Sequence, residues 1–220
     1  MKKVQAILEY LEKQFKNRPI ELDYSNPLEL LVATILSAQC TDQRVNKVTP
    51  ALFKKYKTAQ DYARADQATL EKEIHSTGFY RAKAKNIIRC CQQLIEKYDG
   101  QIPDTLEELI TLPGVWRKTA NVILGNYFGK PAIVVDTHVK RVSQRLGLTR
   151  SDDPDVIEKD LARLLPRERW TEGSHQLLLH GRYICKAKAP LCSKCGLYKI
   201  CAWKQKTGFR VLDQRTPASA

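Results

Sequence analysis

The expected fold is decided by one stretch of the sequence, residues 111–139, which reads TLPGVWRKTANVILGNYFGKPAIVVDTHV. A helix-like run from Leu106 to Thr111 ends at the breaker pair Pro113-Gly114, and a second apolar-periodic run begins at Arg117. This pattern predicts two helices that are joined by a tight hairpin.

Two polar residues in this stretch are candidates for chemistry. Lys118 falls in the first turn of the second predicted helix, where the positive end of the helix dipole disfavours a cation and favours a neutral, nucleophilic amine. Asp136 follows the apolar run 132–135 and precedes a helical pattern, so we expect it to be an N-cap. A lone lysine on a helix is usually only solvated, and an aspartate before a helix is usually only a cap. The surrounding motif must therefore decide whether these two residues are catalytic.

The setting resembles the helix-hairpin-helix of the endonuclease III family of DNA base-excision glycosylases. The family motif runs L-P-G-V-G-x-K-T-A and then V-D-T-H, and this chain has LPGVWRKTA at 112–120 and VDTH at 135–138. Trp116 stands where the family has its second hairpin glycine. Either the backbone at Trp116 has a negative φ and the indole lies against DNA, or the hairpin is remodelled and the substrate range is altered.

The charge of the chain indicates a polyanionic partner. Lys and Arg outnumber Asp and Glu by 37 to 24, which gives a net charge of +13 in 220 residues. Neutralised phosphates release counterions, so such an excess favours nucleic acid. We see no secretory signal and no run of apolar residues long enough for a membrane span, so we expect a cytoplasmic protein that does not bind membranes. We also expect a monomer that associates with the nucleoid through DNA.

Four of the seven cysteines are grouped near the C-terminal end of the sequence. Soft thiolates in a short, loop-rich segment suit either a tetrahedral zinc ion or an iron–sulfur cluster, and the residue types alone leave both open. The spacing of the four resembles the 4Fe-4S loop of endonuclease III, which implies a structural cluster that holds Lys186 and Lys188 toward DNA phosphates. The implied ligands are Cys185, Cys192, Cys195 and Cys201.

Helical periodicity fills the rest of the chain, and no convincing strand alternation appears, so we predict an all-α fold. Residues 28–36 are apolar almost all round and predict a buried helix, while Pro50 suits the first turn of a separate short helix. The family resemblance, which covers roughly residues 28–203, implies a two-lobed helix-hairpin-helix glycosylase fold with a four-cysteine iron–sulfur loop. One lobe is then a helical barrel at 21–130, and the other combines 1–20 with 131–220.

The resemblance implies a bifunctional enzyme of base-excision repair that acts on double-stranded DNA with damaged bases or abasic sites. Lys118 is then the nucleophile that releases an oxidised pyrimidine and forms a Schiff base, which supports abasic-site lyase activity by β-elimination. Asp136 is then the carboxylate that assists deprotonation of the lysine and stabilises positive charge on the sugar.

The resemblance also implies residues that contact DNA. An enzyme that acts on C1′ must rotate the nucleotide out of the duplex, and Gln39 and Phe79 match positions expected to fill the gap. The backbone amides of Gly114, Val115 and Trp116 are expected to bind a phosphate without reading the sequence.

Two other functions compete with this one. A glycosylase for a different lesion would carry the same lysine, because the shape of the base pocket sets the choice of base. A non-catalytic DNA-binding iron–sulfur protein would keep the scaffold and lose the covalent chemistry. A simple electron carrier is disfavoured because it would leave the net charge and the hairpin unexplained.

Overall fold

The computed structural model describes residues 2–206, and helices are the regular secondary structure of this range. This range contains no β-strand, which confirms the all-α prediction, and no helix in it is long and apolar enough to cross a membrane. Short 3₁₀ turns, including His75–Thr77, separate some of the α-helices. The α-helices of the described range are α1 (Lys2–Phe15), α2 (Pro27–Ser37), α3 (Asp42–Lys55), α4 (Ala59–Ala63), α5 (Gln67–Ile74), α6 (Tyr80–Tyr98), α7 (Leu106–Leu109), α8 (Arg117–Asn126), α9 (Thr137–Leu146), α10 (Pro154–Leu164) and α11 (Trp170–Tyr183).

The chain divides into two compact units. One unit is Arg18–Val134 and contains α2 to α8. The other combines the described residues before Arg18 with those from Val135 onward, and it contains α1 and α9 to α11. The assignment of a barrel domain to residues 21–130, and of an iron–sulfur cluster domain to 1–20 with 131–220, stays a prediction.

The core of the Arg18–Val134 unit includes helix α2. Asn26 caps this helix by accepting a hydrogen bond from the Glu29 N–H at 3.0 Å, and Pro27 takes the first helical position, where an N–H would have no partner. Every residue from Leu30 to Leu36 is buried, as expected for a run that is apolar all round. Each buried Leu or Ile contributes roughly 1.5–3 kcal/mol through the hydrophobic effect. This burial fixes the end of α2, from which the connection to α3 begins.

Helix α3 is longer than the sequence predicted. Thr41 caps it by accepting a hydrogen bond from the Arg44 N–H, but Pro50 lies inside the helix instead of opening a separate one. The prediction for Pro50 was wrong because the buried face continues across it, from Val45 on one side to Leu52 on the other. Burial of that face outweighs the one backbone hydrogen bond that proline removes.

In the second unit, α11 packs against both α1 and α9. Gly181 permits the close approach to α9, because a Cβ at this position would lie 2.9 Å from His138 Cβ and 3.0 Å from Val142 Cγ2. On the other side, the Glu12 carboxylate of α1 accepts a hydrogen bond from the Arg169 guanidinium at 2.6 Å. The cysteine segment follows α11 directly, so these contacts fix where that segment starts.

Candidate functional site

The predicted hairpin joins α7 and α8 through residues 110–116. A tight turn is closed by the Val115 N–H, which donates to the Leu112 carbonyl at 3.0 Å, and the Val115 side chain is buried. Gly114 has a φ of +79°, and a Cβ at this position would lie 2.8 Å from the Cβ of Asn86. Glycine is therefore required here both by the backbone conformation and by the neighbouring side chain. The first helix is a single turn, shorter than the sequence pattern indicated.

Trp116 is the N-cap of α8, with a φ of −98° and a ψ of 167°. Any L-amino acid adopts this extended conformation, so tryptophan replaces the family's glycine without backbone strain. Of the two alternatives for this position, the negative φ is the one found. The indole is 79% exposed, and the Trp116 side chain makes no capping hydrogen bond. Tryptophan does not offer the side-chain oxygen that a serine or aspartate would supply at this position.

Lys118 is the second residue of α8, and its side chain is exposed. Within the described part of the chain, no hydrogen bond or ion pair engages its amine. The arrangement presents an accessible amine on a rigid helical turn, as a nucleophile requires.

Asp136 caps α9, as the sequence predicted. Its carboxylate accepts a hydrogen bond from the Val139 N–H at 2.7 Å, and its side chain is half-buried. One carboxylate oxygen is therefore committed to the helix, while the second oxygen can act on a substrate. Lys118 belongs to the Arg18–Val134 unit and Asp136 to the other unit.

Gln39 and Phe79 lie in two short connections of the Arg18–Val134 unit. Gln39 lies between α2 and α3 with a φ of +53°, and Phe79 lies directly before α6 with a φ of +48°. Both side chains are exposed, and that of Phe79 is 65% exposed although it is large and apolar. A left-handed conformation costs a non-glycine residue roughly 1–2 kcal/mol, and such strain is frequent at functional sites. Both predicted DNA-contacting side chains thus project from strained, tight turns.

Lys83 was missed by the sequence analysis, although it lies close in sequence to Phe79. It is only 4% exposed, and its ammonium donates hydrogen bonds to the carbonyls of Leu36 and Thr77, both at 2.8 Å. Burial lowers the pKa of this lysine. A signal was present, because Lys83 precedes the inward-facing Ile87 by four residues and so lies on the buried face of α6.

The four grouped cysteines line one cavity together with residues of α9 and α11. All four are free and half-buried. Burial raises the pKa of the Cys195 thiol, and the nearby charges of the other three sulfurs raise it further, which reflects their proximity. Within residues 2–206, no three His, Cys, Asp or Glu side chains converge on a point that would hold a single metal ion. The cavity-lining cysteines are Cys185, Cys192, Cys195 and Cys201.

Arg145 of α9 holds the start of the cysteine segment. Its guanidinium donates to the Cys185 sulfur at 3.3 Å, to the Lys186 carbonyl at 2.9 Å and to the Ala187 carbonyl at 3.1 Å. With the backbone held in this way, the side chains of Lys186 and Lys188 are exposed. The sequence analysis missed Arg145, because its local pattern does not connect it with a cysteine 40 residues later.

The chain matches proteins of DNA repair along most of its length. The model of the HhH-GPD superfamily of base excision DNA repair proteins matches residues 32–167, more than half of the chain. Endonuclease III of Synechocystis is 54% identical over 89% of this chain and 90% of its own length. Endonuclease III of Bacillus subtilis is 46% identical over 98% of this chain and 99% of its own length. The chain therefore belongs to the endonuclease III family.

A solved structure supports the same assignment. The structure of a trapped endonuclease III–DNA covalent intermediate is similar with a TM-score of 0.88 and 48% identity, and covers 91% of this chain and 95% of that chain. This similarity confirms the predicted helix-hairpin-helix glycosylase fold. As a member of this family, the protein is a DNA-binding enzyme of base-excision repair, with DNA glycosylase and abasic-site lyase activities.

Proposed function

We propose that Lys118 is the nucleophile of this enzyme and that Asp136 assists it during the removal of oxidised pyrimidines from double-stranded DNA. The observation that carries the proposal is an exposed amine at the second position of α8, directly after the family's hairpin. An amine at this place can form a Schiff base, whereas a hydroxyl cannot, so the same residue serves both the glycosylase and the lyase step.

The proposed reaction begins when the Lys118 amine attacks C1′ of the damaged nucleotide. The bond to the base breaks, the base leaves with the bonding electrons, and Asp136 accepts the proton that the lysine nitrogen loses. Opening of the sugar ring gives an imine between Lys118 and C1′. Loss of a C2′ proton then expels the 3′ phosphate by β-elimination, and water releases the product from the lysine.

DNA binding in this proposal uses several exposed groups. Gln39 and Phe79 fill the space that the rotated nucleotide leaves in the stack, and their exposure on tight turns supports this role. The amides of Gly114, Val115 and Trp116 bind a phosphate near the positive end of α8.

We also assign the four cavity-lining cysteines to a 4Fe-4S cluster. The donor set fits, because four free thiols line one cavity and thiolates are the ligands that iron–sulfur clusters use. A zinc ion with bonds of about 2.3 Å would draw all four sulfurs to one point, whereas a cluster binds them around a larger body. When bound, the cluster supplies structure to the loop. Lys186 and Lys188 are then held where they can contact phosphates.

Borohydride trapping tests the nucleophile. The purified protein is incubated with a duplex that contains one abasic site, and borohydride reduces the imine to a stable covalent complex. We expect trapping by the parent protein and none by Lys118→Gln, while Lys57→Gln, which removes another exposed lysine, traps at the parental rate. Undiminished trapping by Lys118→Gln would overturn the assignment, and loss of DNA binding in that variant would show that the lysine only contacts DNA.

A different lesion is the second candidate substrate, and the exposed Trp116 in place of the family's glycine is the observation that favours it. Single-turnover excision from duplexes that each carry one defined oxidised, deaminated or alkylated base decides between the two. We expect the protein to act as a monomer on the cell's DNA in the cytoplasm, and sedimentation of the free protein and of its DNA complex checks the stoichiometry.

A further inference from the structure

The geometry points to Lys83 as a positioning residue that holds the Gln39 and Phe79 turns in a fixed arrangement for insertion into DNA. The inference rests on the proposed function, because it assumes that these two side chains enter the duplex. It goes further by assigning their placement to one buried ammonium that touches neither the substrate nor the reacting atoms.

The two hydrogen bonds of Lys83 reach both turns. One acceptor is the carbonyl of Leu36, three residues before Gln39 and near the end of α2. The other is the carbonyl of Thr77, two residues before Phe79 and the last residue of the 3₁₀ turn His75–Thr77. Both bonds are 2.8 Å long. A single side chain therefore connects the starting points of the two segments.

The backbone of Lys83 adds a third contact. Its N–H donates to the Phe79 carbonyl at 3.0 Å, so the residue holds the Phe79 turn from both sides, through Thr77 before it and through Phe79 itself. Gly78 in between has a φ of +70° and no atom within 4 Å of a Cβ built there. That turn is open to solvent on the glycine side, and Lys83 supplies its support from within.

A lysine suits these acceptors for an electrostatic reason. Carbonyls at the ends of helices lack helical partners and carry partial negative charge, which an ammonium stabilises. The two acceptors belong to different helical ends, so a cation between them attracts both at once. Because Lys83 as a residue is only 4% exposed, its ammonium cannot exchange these acceptors for water unless the packing around it opens.

Coupling matters because Gln39 and Phe79 are both in strained conformations. A residue with a φ near +50° relaxes to other conformations unless the surrounding structure fixes it. Two side chains that enter one gap in the base stack must also keep a constant separation. Because Lys83 fixes both turns in the free protein, less conformational entropy is lost when DNA binds.

The test compares a duplex with a single strand, using Lys83→Met, which keeps the length of the side chain and removes the donors. We expect single-turnover excision from a damaged duplex to fall about tenfold or more. Borohydride trapping on a single-stranded abasic oligonucleotide, which requires no rotation out of a stack, should stay within about twofold of the parent. Lys118→Gln should lose both activities, so a failure of the proposed nucleophile is distinguished from a failure of this inference.

A double-mutant cycle then separates positioning from general stability. In a protein that already carries Gln39→Ala and Phe79→Ala, Lys83→Met should lower duplex excision by less than about twofold, since its effect passes through those side chains. If Lys83→Met lowers duplex excision by the same factor in that protein as in the parent, Lys83 is only structural and the inference is wrong. The same conclusion follows if Lys83→Met lowers duplex and single-strand activities together. If Gln39→Ala with Phe79→Ala excises as fast as the parent, the assignment of the two inserting residues fails instead.

Lys83→Gln repeats the cycle in case the methionine variant does not fold. Its amide can donate to one of the two carbonyls, so we expect an intermediate loss on the duplex and none on the single strand. Urea unfolding of each variant, followed by far-UV circular dichroism, checks that the comparison is made between folded proteins.

Discussion

At the scale of single residues, Gly114 and Trp116 show that two neighbouring positions of one motif have different requirements. Gly114 has a φ of +79°, and a Cβ at this position would clash with the Cβ of Asn86 at 2.8 Å. Trp116 has an ordinary extended backbone. The family's motif has glycine at both positions, but only the first is needed by the hairpin itself. The second is free to vary, and the residue there changes the surface beside Lys118.

Gly114→Ala should therefore destabilise the protein and weaken its binding to abasic-site DNA. Gly129→Ala is the matched control, because Gly129 also has a positive φ, of +64°, but no atom lies within 4 Å of a Cβ there. Both variants carry the conformational penalty, and only Gly114→Ala adds the clash with Asn86. We expect the free energy of unfolding in urea to fall by roughly 1–3 kcal/mol more at 114 than at 129. Equal losses would contradict the clash.

Trp116→Gly tests what the exposed indole does. The backbone at 116 does not need glycine, so the free energy of unfolding should change by less than about 1 kcal/mol. We expect binding to abasic-site DNA, measured by fluorescence anisotropy, to be kept or improved, because the smaller residue lets a phosphate approach the hairpin more closely. A large loss of affinity would show that the indole itself contacts DNA.

The sequence was informative about Lys118 and Asp136 because a local motif carries both, and the predicted N-cap at Asp136 is confirmed. For Lys83, helical periodicity places the residue on the buried face of α6 with Ile87, but it does not reveal the acceptors of the ammonium, which lie 47 and 6 residues away. The left-handed backbones of Gln39 and Phe79 were equally out of reach, since neither residue type favours positive φ.

At the scale of helices, Asp136 has two roles that substitutions can separate. Asp136→Asn keeps an oxygen for the Val139 N–H and removes the negative charge, while Asp136→Ala removes both. We expect the asparagine variant to unfold at the parental urea concentration and the alanine variant to lose about 1 kcal/mol. Single-turnover base excision should fall in both. If Asp136→Asn excises at the parental rate, the carboxylate serves only α9.

The start of a helix was predictable where the apolar pattern and a capping residue indicated the same position, as in α2 with Asn26 and Pro27. Helix limits were not predictable where tertiary packing overrode a local signal. Pro50 has the local character of a helix start, yet the burial of Val45 and Leu52 carries α3 through it. Helix α7 is also shorter than its apolar pattern indicated, because it ends at Leu109.

At the scale of the whole molecule, the net charge of +13 should appear in the salt dependence of DNA binding. Lys186→Ala with Lys188→Ala removes two exposed cations proposed to contact phosphates. We expect the slope of log Kobs against log salt concentration to become smaller by about two, with little change in sequence preference. Lys199→Ala with Lys204→Ala is the control, because it removes the same charge from exposed positions of the same segment. An equal change in both pairs would mean that only the overall charge matters.

One unit is contiguous, and the other combines described residues from before Arg18 with residues from after Val134, which has a consequence during synthesis on the ribosome. Helix α1 is made before its partner α11, which emerges on the order of 10–30 s later at about 5–20 residues per second. All helices of the unit Arg18–Val134 are synthesised before α11 emerges, so this unit can fold while α1 is still without its partner. We expect the apolar face of α1, including Ile7, Leu11 and Phe15, to be uncovered during that interval and to offer chaperones a binding segment on the nascent chain.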